Sequence, residues 1–117
     1  MNILDIPSQR YRSVKDFGSH GVETAEMASG TEDAHFHVLR IEPGGAIGPH
    51  EARFGQLFMT LGGRGWVADE DGIRVSLAAG QAAYIRKGEV HSKGADEAVV
   101  CLVLQVTELG LAQNCVR

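Results

Sequence analysis

A chain of 117 residues, 44 % hydrophobic and 22 % charged, is enough for one domain with a modest core. Its net charge of −4 leaves no basic footprint, which sets nucleic acid aside as a partner. No apolar run approaches the roughly 20 residues of a membrane span, Met1-Asn2-Ile3-Leu4-Asp5 lacks a secretory leader's basic and apolar regions, and Cys101 and Cys115 read as unpaired thiols, so the expectation is a cytoplasmic protein with no membrane partner.

Residues 1–34 are polar and weakly patterned, an arm expected to carry the first strand or strands, with turns at Asp16-Phe17-Gly18-Ser19 and Ala28-Ser29-Gly30-Thr31. From residue 35 to residue 109 the chain reads as strand after short strand. His35 to Glu42 is extended and stops at Pro43-Gly44-Gly45. Leu57-Phe58-Met59-Thr60-Leu61 is apolar on both faces, as a strand buried in a sandwich must be. Gly65 to Glu70 and Ile73 to Leu77 flank Asp71-Gly72, a hairpin signal, with Ile73, Val75 and Leu77 on one face and Arg74 and Ser76 on the wet one. Ala82 to Ile85 and the β-branched run Val99 to Val106 follow, and Cys101 in that run reads as a small core residue. The tail, 110–117, is weakly helical in pattern. Fifteen glycines against three prolines suit tight turns, so periodicity gives an all-β sandwich or barrel.

Two glycine-and-histidine patterns carry a more specific signal. The first runs from Gly44 through His50, Ala52, Gly55-Gln56 and Gly63; the second from Gly80 through Arg86, Gly88 and His91. Their spacing resembles the two motifs of the cupins. The stretch from His37 to about Thr107 is similar in particular to small cupins with a Gly-Gln pair, a Gly-x-Gly-Trp strand end and a histidine followed by Gly-Ala; Gly55-Gln56, Gly63-Arg64-Gly65-Trp66 and His91-Ser92-Lys93-Gly94-Ala95 match. The resemblance implies a double-stranded β-helix, the cupin β-barrel or jelly roll, and a homodimer. It also implies a divalent cofactor (manganese, iron, nickel or zinc) held by three histidines and a glutamine. Some members accompany or resemble carboxymuconolactone decarboxylases.

On this sequence the implied metal ligands are His50, Gln56 and His91. Ala52 stands where the second histidine belongs, Gln56 replaces the usual carboxylate and brings no charge, and Arg86 replaces a proline. His35 and His37 share one strand face and could supply the missing imidazole, although solvent-facing histidines on an outer strand are the simpler reading. Glu89 and Tyr84 are candidate bases, and Arg53 is the arginine nearest the motif to clamp a carboxylate. Lys93, two residues after His91, would repel a metal or attract an anion. Trp66 reads as a core or interface aromatic. The leading expectation is a metal-dependent enzyme, of isomerase, decarboxylase or dioxygenase type, acting on a small carboxylate- or carbonyl-bearing molecule. The competing expectation is a metal-free cupin that binds a small ligand, a sugar or an organic acid, without catalysis.

Overall fold

Alternating apolar residues punctuated by glycine turns produce strands and little else. The computed structural model describes residues 1–20 and 23–116. Its strands are β1 (Asn2–Asp5), β2 (Arg12–Ser13), β3 (Glu23–Thr24), β4 (Ala28–Ile41), β5 (Ala46–Glu51), β6 (Gly55–Gly62), β7 (Arg64–Ala68), β8 (Arg74–Ala78), β9 (Gln81–Ile85), β10 (Val90–Ala95) and β11 (Val99–Leu111). Single 3-10 turns at Ile6–Ser8 and Asp16–Gly18 interrupt the arm, and the described residues contain no α-helix and no helix long and apolar enough to cross a membrane.

Two antiparallel sheets face each other, ordered β1-β9-β6-β11-β4 and β5-β10-β7-β8, with β2-β3 as a separate ribbon. Between them lie Ile41, Phe58, Val67, Leu77, Ala83, Val99, Cys101 and Val103. Phe58 and Leu77 are wholly buried, each contributing about 2–3 kcal/mol through removal from water. The outer face of the larger sheet is also covered: Leu4, Leu57, Ala82 and Tyr84 pack beneath Met27, Leu109, Leu111 and Cys115. That second layer explains why β6 is apolar on both faces.

The longest strand differs from its expected bounds. β4 begins at Ala28, because β11 offers it a ladder partner as far as Leu111 (Gly30 opposite Leu109, Ala28 opposite Leu111). The expected turn at Ala28–Thr31 is therefore strand. A bulge between Val106 and Glu108 is absorbed in β4, where Glu32 adopts φ 71°. Gly30 is required there, since a Cβ would collide with the Glu108 carbonyl. As far as Val116 the tail is not helical, Arg117 lying outside the described residues: Leu109–Leu111 stays in β11, and a turn from Ala112 to Cys115 follows. The side-chain amide of Gln9 then clamps Val116, accepting from its N–H at 2.8 Å and donating to its carbonyl at 3.0 Å. Paired this way on both sides, the tail has no reason to coil.

The Asp71-Gly72 hairpin forms between β7 and β8, with Gly72 at φ 75°. Its expected inner face is buried only at Leu77; Ile73 is 68 % exposed, because the hairpin tip projects beyond the core. The face expected to be wet is partly occupied, since the Arg74 guanidinium lies 4.0 Å above the Trp66 ring. On the edge strand β4, Phe36 and Val38 share the outer-face rows of Leu57 and Met59 and are 62 % and 59 % exposed.

Candidate functional site

Strand alternation brings a small polar group inside the apolar sandwich. On β10, His91, Lys93 and Ala95 point inward, while Gly94 faces outward and leaves room for the Trp66 ring. The turn before β10 is set by Gly88 at φ 90° and is latched to Ala52 in both directions (Gly88 N–H to Ala52 O, 2.8 Å; Ala52 N–H to Glu89 O, 2.9 Å). This latch places His91 opposite His50 on β5, their ring centroids 4.4 Å apart. His50 is exposed and its Nδ1 lies 2.8 Å from the Gly48 carbonyl. From the facing sheet, β6 presents Gln56, Phe58 and Thr60, and β11 presents Cys101.

Lys93 is the unusual member. It is 3 % exposed, its Nζ donates to Gln56 Oε1 at 3.2 Å and stands 4.5 Å over the Phe58 ring. Among the described residues no carboxylate lies within 4.0 Å of that nitrogen. Burial lowers the amine from 10.5 to about 8, against the opposing pull of the Cys101 thiol. His91 is wholly buried, and neither ring nitrogen has a hydrogen-bond partner among the described residues. Burial, then the charges of Lys93 and His50, lower it from 6.5 to about 4, so the ring is neutral at physiological pH. Burial raises the Cys101 thiol, with the Thr60 hydrogen bond and the Lys93 charge working the other way.

The remaining sequence candidates are placed elsewhere. Glu89 is held in ion pairs with the Met1 amine (3.0 Å) and Arg86 (3.1 Å); burial pushes its carboxyl up, but these two partners outweigh it and hold it below the ordinary range. A carboxylate so engaged is not a free base beside His91. Tyr84 points to the outer face, where its hydroxyl donates to the Leu109 carbonyl at 2.6 Å, so alternation along β9 turns it away from Gln56. Arg53 is exposed in the turn between β5 and β6. His35 and His37 lie on the inward side of β4, in the rows of Gln56 and Phe58 but two strands away, about 10 Å at the usual strand spacing. Both are exposed, and His35 meets Phe54 edge-on at 5.4 Å, a contact with no sequence signal.

These residues do not fit a divalent ion. His50 and His91 come together, but the third expected ligand, Gln56, already accepts a hydrogen bond from an ammonium group through its coordinating oxygen. The donors are all neutral, Ala52 is buried and offers no ligand, and no three His, Cys, Asp or Glu side chains gather among the described residues. A dication here would meet the Lys93 ammonium, and the carboxylate whose charge reaches His91, Glu89, is already paired with the Met1 amine and Arg86. The same arrangement suits an anion: a buried cation without a counter-ion beside two unpartnered imidazole nitrogens is completed by a ligand with negatively charged acceptors.

No family model and no curated protein matches the sequence. Solved structures do match its shape. A cupin-2 domain protein from Shewanella frigidimarina is 23 % identical over 67 % of this chain and 74 % of its own, with a TM-score of 0.56. A double-stranded β-helix protein from Klebsiella pneumoniae is 24 % identical over 81 % and 88 % of the two chains, with a TM-score of 0.58. An RmlC-like cupin from Methanocaldococcus jannaschii is 13 % identical over 86 % and 92 %, with a TM-score of 0.61.

Proposed function

The chain has the double-stranded β-helix fold of the cupins, and on that fold we propose that it binds a small organic anion without a metal ion, through Lys93, His50 and His91. The hydrogen bond from Lys93 Nζ to Gln56 Oε1 carries this reading, because it puts a positive charge where the fold's metal chemistry would put the ion. A carboxylate approaching past the exposed His50 ring meets a neutral His91 with free nitrogens and, behind it, an ammonium with no acidic partner. Pairing supplies the electrostatic compensation that the protein itself omits. Phe58 and Val67 pack in the core beside this group and favour a ligand with little polar surface beyond its charged group.

The test is thermal unfolding with acetate, glyoxylate, pyruvate and citrate, beside manganese, iron, nickel and zinc salts. A carboxylate at about a hundred times its Kd stabilises by about 3 kcal/mol; the small acids are expected to raise Tm, and Lys93→Met to abolish the rise. Near-stoichiometric metal in the purified protein, with Tm falling when a chelator removes it, would overturn the proposal.

A further inference from the structure

We infer that Lys93 is a nucleophilic amine that captures a small aldehyde or 2-oxo acid as an imine. This rests on the anion-binding reading above and names the ligand class within it. A lysine kept in the core for structure is normally neutralised by an acid. Lys93 is instead fixed by one neutral acceptor, Gln56 Oε1, over the Phe58 ring, which aims the amine without competing for it. One inward position along β10, roughly 7 Å away at strand spacing, stands His91, buried and unpartnered at both nitrogens. An aimed amine and a free imidazole are the two groups that imine formation requires.

The step balances without any oxidant or reductant. The Lys93 ammonium first passes one proton to His91; the freed Nζ lone pair adds to the carbonyl carbon, a C–N bond forms, and the carbonyl π pair moves to oxygen. One amine proton reaches that oxygen, carried by His91, to give a carbinolamine. The hydroxyl then leaves as water, taking a second proton by the same route, and the nitrogen lone pair closes the C=N bond. Cys101 is the competing nucleophile on the facing strand, but burial holds it as a thiol.

Only three lysines occur in the chain, Lys15, Lys87 and Lys93, and the first two are exposed, so the adduct is simple to locate. Intact protein is incubated with glyoxylate and cyanoborohydride, digested and mapped by mass. The expected result is one carboxymethyl group on Lys93, saturating with glyoxylate and competed by acetate. In Lys93→Arg the adduct is lost. In His91→Gln trapping slows about a hundredfold. Adducts confined to Lys15, Lys87 and the terminal amine, with stabilisation by acetate intact, would overturn the imine and leave the anion site standing. Absence of both stabilisation and Lys93 labelling would overturn the two together.

Discussion

Replacing Lys93 by methionine tests the electrostatics of the interior directly. Methionine keeps the length and apolar stem of the side chain and removes the charge. In the folded protein the amine falls from 10.5 to about 8. At about 1.4 kcal/mol per tenfold change, that difference is a burial cost of about 3 kcal/mol. The sign follows from proton counting. Below pH 8 both folded and unfolded chains carry the charge and the cost is present in full. As pH rises from 8 to 10.5 the folded chain sheds its proton while the unfolded chain keeps it, so stability climbs. Against this, Lys93→Met strands Gln56 Oε1, costing about 1–3 kcal/mol, and loses the contact over Phe58, about 1 kcal/mol. The two sides nearly cancel at pH 7, so a single comparison there is uninformative. The informative quantity is the stability gap between the two proteins, measured by urea unfolding at intervals from pH 7.5 to 10.5. The parent should gain about 3 kcal/mol relative to the variant across that range. Parallel curves would refute the reasoning, because they would mean that Lys93 is solvated in the folded state.

At the acid end, His91 falls from 6.5 to about 4, so stability is complete above pH 6.5 and drops by about 3 kcal/mol as pH falls to 4 and the unfolded chain takes the proton first; His91→Gln should flatten that part of the urea profile. Gly94→Ala places a methyl 2.5 Å from the Trp66 ring and 2.6 Å from the Gly45 carbonyl, and should cost about 1–3 kcal/mol with a lowered Tm. Arg74→Ala uncovers the chain's single tryptophan, so its emission should shift to the red with about 0.5–1 kcal/mol of stability lost. Tyr84→Phe removes the hydroxyl bond to Leu109 and should lower stability by about 1 kcal/mol, with binding of acetate unchanged because the ring faces outward.

How much of this was legible in the sequence depends on whether the signal was local. The all-β architecture, the Asp71-Gly72 hairpin and the double-sided burial of Leu57–Thr60 follow from periodicity and turn chemistry, which neighbouring residues set; Leu61, expected to be buried with them, is 55 % exposed near the end of β6. The juxtaposition of His50 and His91 was legible because glycine spacing fixes the turns that aim both strands. The inward direction of Lys93 follows from alternation with His91. Its hydrogen bond to Gln56 does not, since the two residues meet only across the sandwich. The start of β4 was missed because residues 28–34 are polar and owe their extended form to β11, some eighty positions later. Glu89 and Tyr84 read as candidate bases because spacing says nothing about what else a side chain binds. The terminal amine and the Leu109 carbonyl, both distant in sequence, claim them.

The place of β11 bears on how this molecule is made. It is the last strand among the described residues yet lies between β4 and β6, bonded to both. While a ribosome is still translating residues before Val99, β4 and β6 each present a long unsatisfied edge, and β6 is apolar on both sides. The nascent chain must therefore wait, exposed to edge-to-edge association. Folding governed by so distant a pairing is slow on the scale set by chain topology. A chaperone that shields β6 until β11 emerges would raise yield more than any change to the completed core.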